Sequence, residues 1–418
     1  MELYIEQIFF ALVFTIIISI VVVTIHVKGD KKGQRRPPQP AGALPLIGHL
    51  HLLGANQLLH RTFGDMADKY GPVFSIRLGS HQALLVSDSK VAKECFTTND
   101  KVLCTRPKSL ALELMGYNNK IFGFGPYGQY WRDMRKLVTV ELLSSRRLEL
   151  LKHVRDTEIN CFIKELYEQT VKNRGVAVVE MKERISNLAM NIIVRMIAGK
   201  AYFGPQGSCD EESRRCQKAM GDFMYMVGLI LVSDTVPLLG WVDVLMGRIS
   251  KMKRTAKDLD VVLGSWVNEH RDRKLGQGLN GDQDFIDVML SVMDEGNVPT
   301  QEANTIIKAN CLLHRDPSIW QNPLHFLPER FLTDHANVDV RGKHFELIPF
   351  SSGRRTCPGV SLTLQVAHLA LARLLHAFEL GTVSDTAIDM SESPGLSLPR
   401  ATPLEVTLTP RLPSTLYG

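Results

Sequence analysis

The sequence lacks the short motifs that identify several common chemistries. It contains no Cys-x-x-Cys pair, no Gly-x-Ser-x-Gly turn, no phosphate-binding P-loop and no His-Glu-x-x-His helix. Zinc-finger, serine-hydrolase, ATPase and metalloprotease functions therefore have no support in the chain. Seven cysteines among 418 residues are also too few for a small scaffold held together by disulfides.

Positive charge spread over a whole domain is missing as well. The formal net charge is +5, and the short segment 28–36 contains five Lys or Arg residues and one Asp. A nucleic-acid-binding domain normally carries a broad basic face, so we predict no nucleic-acid partner. With 44% hydrophobic and 22% charged residues, the chain has the composition of a folded globular protein.

The N-terminal segment contains a long apolar run. Residues 8–27 include no Asp, Glu, Lys or Arg, and a helix of this length spans about 30 Å, the thickness of a bilayer's hydrocarbon core. Glu2 and Glu6 precede the run and the cations follow it, which favours an uncleaved anchor with the remaining chain on the cytoplasmic side. We therefore predict a membrane anchor over residues 1–27 that contacts membrane lipid. A buried helix of a soluble core is the alternative.

Residues 28–48 connect this segment to the rest of the chain. Their cations can lie against anionic lipid headgroups. Pro37, Pro38, Pro40 and Pro45 break helices and stiffen the chain into an extended spacer. We predict a basic, proline-rich hinge that holds the following domain at a set distance from the membrane.

Residues 49–418 are predicted to form one mainly helical domain with a small β region. Alternating apolar residues predict strands at 73–78 and 83–86. Helical periodicity and capping residues predict a helix at 89–95, capped by Asp88 or Ser89, and helices at 129–142, 145–171, 180–198, 247–273 and 284–294. Gly199 is the expected stop of the helix at 180–198, and residues 274–284 are predicted to form an exposed loop. The apolar stretch 224–232 is predicted to be core or, alternatively, a membrane-dipping or substrate-entry element.

Two G-x-G-x-x-G matches begin at Gly123 and Gly276. A dinucleotide site needs a hydrophobic strand before the glycines and a helix that opens on them. The first match contains Pro126 and its helix is predicted to begin later, near Gln129, while the second follows a charged stretch. Neither match is therefore predicted to bind a nucleotide.

Other polar clusters have ordinary structural explanations. The His49-x-His51 pair has no third ligand nearby in sequence. The E-x-x-R matches that begin at Glu211 and Glu212 are predicted to be solvated charges. A helix-capping role, favoured by the helix dipole, is predicted for three acidic residues, Asp282, Asp284 and Asp287.

The region around Cys357 has the pattern of an activated thiolate. Residues 360–378 form an apolar helical pattern that we predict to be buried. Cys357 thus lies just before a helix N-terminus, where unpaired N–H groups and the helix dipole favour an anion. Arg354 and Arg355 add positive charge, and both effects are expected to lower the pKa of the thiol. A metal-binding thiolate and a buried, unreactive cysteine are the two interpretations left open.

The neighbours of Cys357 complete a recognisable loop. Gly353 allows a tight turn, Gly359 lets the backbone approach a bulky flat partner, and Phe350 can shield one side of the sulfur. With Arg355, these residues fill the pattern F-x-x-G-x-R-x-C-x-G, which resembles the haem-binding loop of the cytochrome P-450 monooxygenases. The resemblance implies that Cys357 is the axial thiolate of haem b (iron protoporphyrin IX) and that Arg355 pairs with a haem propionate.

Two further segments resemble the same family. The run Pro328-Glu-Arg-Phe331 is similar to its P-E-R-F element, in which the arginine locks the core beside the haem. Trp131 and Arg135 resemble a W-x-x-x-R helix whose two side chains reach a haem propionate, and their i, i+4 spacing puts both on one helix face. The sequences around these motifs are similar to those of plant members of the family. The anchor and the hinge resemble those of its microsomal members.

The resemblance covers the chain from the anchor to the C-terminus and implies a complete functional hypothesis. The fold would be that of a cytochrome P-450 in the endoplasmic reticulum membrane, crossing it once, with the catalytic domain in the cytosol. Electrons would come from NADPH through the partner NADPH-cytochrome reductase. The implied reaction inserts one oxygen atom from O2 into a lipophilic small-molecule plant metabolite.

Two elements of the family pattern are missing from the sequence. One is the oxygen-activating helix A/G-G-x-D/E-T-T, so no catalytic acid and threonine pair is assigned, and the other is the E-x-x-R pair that buttresses the P-E-R-F arginine. Residues 299–311 resemble the approach to the first and residues 313–317 a segment beyond the second. The join near 311–313 thus omits about 100 residues, a small domain's worth. We expect an internally deleted isoform or gene model in which neighbours of the absent helix expose apolar faces.

This deletion leaves two alternatives to a monooxygenase. The chain is then a non-catalytic, haem-poor isoform, or a haem-thiolate isomerase or dehydratase that does not need O2. The second alternative would suffer less from the loss of a helix that relays protons to dioxygen.

Overall fold

The structure is a computed structural model that describes residues 15, 37–54, 58–202, 211–277, 284–295, 327–384, 388–393 and 400–417. The predicted anchor, apart from Thr15, lies outside the described residues, as do the basic part of the hinge and the join near 311–313. The capping prediction for Asp282 also falls outside them.

The described part of the chain is mainly helical, as predicted. Its α-helices are α1 Leu59–Tyr70, α2 Ser89–Phe96, α3 Asp100–Leu103, α4 Leu110–Met115, α5 Gln129–Leu137, α6 Ser145–Leu150, α7 Lys152–Lys172, α8 Met181–Ala198, α9 Glu211–Val227, α10 Val232–Thr235, α11 Trp241–Leu245, α12 Arg248–Gln277, α13 Phe285–Glu295 and α14 Val360–Ala377. Its strands are β1 Val73–Leu78, β2 His81–Val86, β3 Ala177–Glu180, β4 Phe378–Thr382 and β5 Glu405–Pro410.

The chain divides into two compact units. The smaller comprises residues 1–99, 230–248 and 315–328, and the larger comprises residues 100–229, 249–314 and 329–418. The smaller unit contains the antiparallel pair β1–β2, and the larger contains an antiparallel sheet in the order β3-β5-β4. The residues that the sequence marks as a candidate site all belong to the larger unit.

The predicted β region is confirmed as a hairpin. Phe74 and Ile76 of strand β1 are buried and alternate with less buried residues. Phe74 pairs with Leu85 of β2, and Ile76 pairs with Ala83. The turn between the strands requires Gly79, which has φ of 61°. A Cβ atom at this position would lie 2.1 Å from the carbonyl oxygen of Thr235.

Replacing Gly79 by Ala is therefore expected to lower the free energy of unfolding by about 1–3 kcal/mol, because both φ and the close carbonyl oppose a side chain. The matched control is Gly64→Ala, since Gly64 lies inside α1 and a Cβ atom there would have no neighbour within 4 Å. This control should stabilise the protein by roughly 0.5–1 kcal/mol. Urea unfolding of both variants measures the difference, and equal effects of the two substitutions would contradict the expectation.

The predicted helices are present, with different ends. The Asp88 carboxylate accepts the N–H of Val91 and caps α2, and Gly199 ends α8 with φ of 65°, both as predicted. The helix predicted at 145–171 is divided at Leu151. Helix α12 continues through Gln277, so residues 274–277 of the predicted loop are helical, and residues 278–283 lie outside the described residues.

The three-stranded sheet of the larger unit was not predicted. Its strands have four to six residues and lie far apart in sequence: β3 pairs with β5, which also pairs with β4. A short strand without a neighbouring hairpin partner carries little periodicity of its own. Leu408 at its centre is fully buried in the main core with residues of α7 and α8.

The prediction that α14 is buried is wrong for most of its length. Only Leu374 and Ala377 are buried, while Leu371 and Leu375 are 54% and 47% exposed. Helix α14 packs against α7 and β4, and these contacts cover one side of a helix that is apolar nearly all round. Among the described residues, α14 has the length and apolar composition to cross a membrane, properties that a core helix can share.

One polar prediction also fails. Glu212 is not a solvated charge: its carboxylate accepts hydrogen bonds from the hydroxyls of Tyr202 at 2.7 Å and Ser265 at 3.1 Å, and it pairs with Lys200 at 3.0 Å. These partners hold α9 to α12 and to the chain after α8. The pair Glu211–Arg214 is exposed, as predicted.

The apolar stretch 224–232 has a mixed environment. Met226 and Leu231 are buried, whereas Tyr225 and Ile230 are 60% and 48% exposed. The core interpretation is therefore confirmed for two of these residues. The other two leave the alternative of a surface element open.

Candidate functional site

The loop from Phe350 to Gly359 is closed by its own backbone. The N–H of Cys357 donates to the carbonyl oxygen of Phe350 at 2.8 Å. Between them, Gly353 has φ of 62° and begins a 3₁₀ turn that ends at Arg355. The tight turn predicted at Gly353 is therefore present, and it directs Cys357 to the start of α14.

Cys357 lies directly before the helix N-terminus, as predicted. Gly359 is the N-cap residue of α14, and its backbone N–H donates a hydrogen bond to the thiol sulfur. A Cβ atom on Gly359 would have one neighbour within 4 Å, the Cys357 Sγ at 3.8 Å. The absence of a side chain at Gly359 therefore leaves space beside the sulfur.

The prediction that the pKa of Cys357 is lowered is wrong for the protein without a ligand. Burial of the sulfur raises the pKa of this thiol, and it outweighs the hydrogen bond from Gly359 and the positive charge of Arg135, which both lower it. The charge that acts on the thiol is that of Arg135 in α5, instead of the expected charges of Arg354 and Arg355, and the local sequence does not contain the extent of burial. A cation bound to the sulfur would reverse this balance, since a coordinating thiol loses its proton.

Arg355 is the most constrained side chain of the loop. Its Nε donates to the carbonyl oxygen of Cys104 at 2.6 Å and its Nη2 to that of Gly125 at 2.7 Å. The guanidinium carbon lies 4.3 Å from the centre of the Trp131 ring. Its Nη1 is buried and has no hydrogen-bond partner among the residues that the structure describes.

Helix α5 places the predicted pair on one face. The guanidinium of Arg135 lies 5.5 Å from the Trp131 ring centre, and its Nη2 donates to the carbonyl oxygen of Thr356 at 2.6 Å. The indole N–H of Trp131 donates to the carbonyl oxygen of Phe122 at 2.9 Å. Arg135 is thus bound to the residue that precedes Cys357, while Trp131 supports the ring contact with Arg355.

Two side chains of the site were missed by the sequence motifs. Asp100 in α3 is 8% exposed; its carboxylate accepts the backbone N–H of Arg354 at 3.2 Å and pairs with the Arg354 Nε at 2.9 Å. Arg106 lies close enough to Arg355 for its charge to act there. No local pattern marks these two residues, because their partners are about 250 positions away in the chain.

The positive charges of the arginines favour the binding of an anion at this site. The pKa of Arg355 is lowered to about 10, chiefly by burial and also by the positive charges of Arg106 and Arg135, against an opposing effect of Cys104. Burial also lowers the pKa of Arg135. Like charges around a buried N–H group that has no partner fit an anionic ligand, so the site suits a cofactor that combines a metal for the thiol with carboxylates for the guanidiniums.

The two G-x-G-x-x-G segments show no sign of a dinucleotide site in the residues that are described. Helix α5 begins at Gln129, after the first match, and the carbonyl oxygen of Gly125 is occupied by Arg355. The second match begins in the last turn of α12 and continues outside the described residues.

The segment Pro328–Phe331, which resembles the P-E-R-F element, forms a 3₁₀ turn with no buried residue, and Arg330 is partly exposed.

Comparisons with known proteins agree with this geometry. The family model of cytochrome P-450 matches residues 37–312 and 302–407. Strychnine-10-hydroxylase of Strychnos nux-vomica is 41% identical over 495 aligned positions that cover 93% of this chain and 94% of the relative. A xanthotoxin 5-hydroxylase of Arabidopsis thaliana is 39% identical, with 97% and 98% covered, and a flavonoid-6-hydroxylase of Ocimum basilicum is 38% identical, with 92% of each chain covered.

The lengths of these alignments are also informative. The alignment with the Arabidopsis relative has 516 positions, more than the 418 residues of this chain, so it opens gaps in this chain. That result is consistent with an internal deletion. The two family matches, which together span residues 37–407, and the identities near 40% establish that the chain belongs to the cytochrome P-450 family.

Proposed function

We propose that this chain is a membrane-anchored haem-thiolate monooxygenase that hydroxylates a lipophilic small-molecule plant metabolite. Its family consists of oxidoreductases that carry haem on a cysteine thiolate and receive electrons from NADPH through a reductase. The relatives named for hydroxylation of strychnine, xanthotoxin and flavonoids support a plant metabolite as the substrate class. The observation that carries the proposal is the thiol of Cys357 at a helix N-terminus, near the charge of Arg135 and in one loop with the buried Arg355.

The residues of the loop have separate tasks in this proposal. Cys357 is the ligand of the haem iron, held in place by the backbone hydrogen bond to Phe350. Arg355 has one unsatisfied N–H group and would hold a haem propionate. Haem bound there supplies the chemistry that activates O2, and thiolate donation favours cleavage of the O–O bond.

Arg135 and Trp131 act as supports in the same site. Arg135 fixes the backbone at Thr356 and adds positive charge near the propionates. The Trp131 ring lies against the guanidinium of Arg355 and limits its movement. Gly353 and Gly359 keep the loop compact and leave the sulfur accessible from one side.

We also propose the domain organisation of the whole chain. Residues 1–27 form the membrane anchor, residues 28–48 the basic hinge and residues 49–418 the catalytic domain in the cytosol. The apolar run, the order of the flanking charges and the clustered prolines support this arrangement. The endoplasmic reticulum membrane is the location that suits a reductase partner and an oily substrate.

An internal deletion near residues 311–313 completes the proposal. The gapped alignment and the overlap of the two family matches at residues 302–312 support it. The exposed apolar side chains of α14, including Leu371 and Leu375, are what the loss of a packing helix would leave. Sequencing transcripts across the codon of Cys311 tests the deletion: a continuous reading frame of full family length in every transcript would identify a gene-model error.

The carbon-monoxide difference spectrum of the reduced protein tests haem binding. We expect the thiolate-type Soret band in microsomes that contain the full chain, followed by NADPH-dependent oxygen uptake when the reductase is added. No band would overturn the enzymatic proposal and favour the haem-poor isoform. A band without oxygen uptake would favour the isomerase or dehydratase, since those reactions do not consume O2.

A further inference from the structure

A second cluster of titratable side chains is buried outside the cysteine loop. His270 in α12 is fully buried, and Asp284 and Asp287 at the start of α13 are 7% and 4% exposed. One nitrogen of His270 and one carboxylate oxygen from each aspartate lie within 4.8 Å of one another. The monooxygenase reaction as proposed makes no use of these three residues.

The helix cap accounts for one of the two oxygens of the Asp284 carboxylate. Its Oδ1 accepts the backbone N–H groups of Ile286 at 3.0 Å and Asp287 at 3.1 Å, which confirms the capping role predicted from the sequence. Its Oδ2 is turned away from these donors and lies 2.5 Å from the Nε2 of His270. The Oδ2 atom is therefore hydrogen-bonded to His270, and a metal ion shared by the two side chains would displace the proton between them.

The backbone determines which nitrogen of His270 faces this carboxylate. Its Nδ1 lies 2.6 Å from the carbonyl oxygen of Trp266. A carbonyl oxygen only accepts, so Nδ1 carries a hydrogen and Nε2 is the nitrogen directed at the aspartates. Metal-binding histidines commonly have one N–H held by a backbone carbonyl in this way, while the other nitrogen coordinates the metal.

Asp287 supplies the observation that a helix cap does not explain. Its Oδ1 is buried and has no hydrogen-bond partner among the described residues, and its Oδ2 accepts one long bond of 3.4 Å from the N–H of Asp284. A buried carboxylate oxygen without a partner is costly, because water is removed and nothing replaces it. A cation bound in this cluster would compensate the Asp287 oxygen, which neither the helix cap nor His270 satisfies.

We propose that His270, Asp284 and Asp287 bind one divalent transition-metal ion. The ligand atoms would be Nε2 of His270, Oδ2 of Asp284 and an oxygen of Asp287, a nitrogen and oxygen set that suits Zn²⁺. Ligands of one such ion lie about 3–4 Å from each other, so the three atoms need only small movements from their present positions. The ion would join α12 to α13 and neutralise the buried carboxylates.

Zinc binding by the purified full chain tests this proposal. Titration against a chromophoric zinc chelator should show one tight site in a Cys357→Ser background, which removes the thiol as a competing ligand. Asp287→Asn, which keeps the shape but removes the charge, should weaken binding at least about tenfold. The matched control is Asp272→Asn, an exposed acid on the same helix as His270, which should bind like its parent.

The visible spectrum of bound Co²⁺ gives a second measurement that does not depend on folding of the Asp287 variant. In the Cys357→Ser chain we expect a d–d absorption typical of nitrogen and oxygen ligands without a sulfur charge-transfer band. A Cys357→Ser chain that takes up no Zn²⁺ or Co²⁺ would show that a proton shared by His270 and Asp284 closes the cluster, and it would overturn the proposal. Equal zinc affinity of the Asp287→Asn chain would overturn it as well.

Discussion

Cys357→Ser should abolish the thiolate-type Soret band of the reduced, carbon-monoxide-treated protein and all NADPH-dependent oxygen uptake. The reason is chemical: a serine hydroxyl has almost the same shape as the thiol but does not provide the thiolate that binds haem iron in this family. Because the loop is closed by backbone contacts to Phe350 and by the side chain of Arg355, the substitution is expected to leave the fold intact.

Cys95→Ser is the matched control for this experiment. Cys95 is also a partly buried free cysteine, but it lies in α2 of the smaller unit. Its substitution should leave the band at the parent height, while circular dichroism checks the helix content of both variants. Persistence of the band in Cys357→Ser would show that another side chain holds the iron.

Arg355→Lys is expected to reduce both haem content and stability. The guanidinium donates to the carbonyl oxygens of Cys104 and Gly125 in two directions, and a lysine ammonium on a flexible chain does not reproduce that fork. Leaving buried carbonyl groups unpaired while keeping the charge should cost about 3–5 kcal/mol of unfolding free energy. The haem that remains should also dissociate faster, since the proposed contact between Arg355 and a propionate would be lost.

The neighbouring residue provides the control for charge. Arg354 pairs with Asp100, but about half of its side chain is exposed to solvent. Arg354→Lys keeps the ion pair and is expected to change stability by less than about 1 kcal/mol. Urea unfolding and the ratio of haem to protein measure both effects. Similar losses in the two variants would show that the loop responds to any substitution and that Arg355 has no special role.

The sequence predicts some properties of the cysteine loop and misses others. The order Phe350, Gly353, Arg355, Cys357 and Gly359 identified the loop through its resemblance to the family pattern, while its turn and helix start are local features that the residue types predict. The same reasoning failed for the pKa of the thiol. Burial of the sulfur depends on distant segments, and in the protein without a ligand it outweighs the nearby charge.

In the helices too, the sequence predicts the local features and misses those that depend on tertiary packing. Caps at Asp88 and Asp284 and the stop at Gly199 followed from residue type and spacing, since each acts within one turn of helix. The exposure of α14 did not follow, because an apolar pattern shows what a helix can bury and not what is present to cover it. The strands β3 and β5 pair across more than 200 residues, a distance at which sequence pattern carries no register.

By itself, the sequence determined the family, the cysteine that we propose as the haem ligand and the order of the main helices. These properties depend on short motifs and on periodicity, which are present in the chain before it folds. The tertiary structure decided which side chains complete the site: Asp100 and Arg106 lie beside the loop, and Arg355 reaches carbonyl groups on two distant segments. It also brought His270 of α12 to Asp284 and Asp287 at the start of α13, because side chains of the two helices pack in one core cluster.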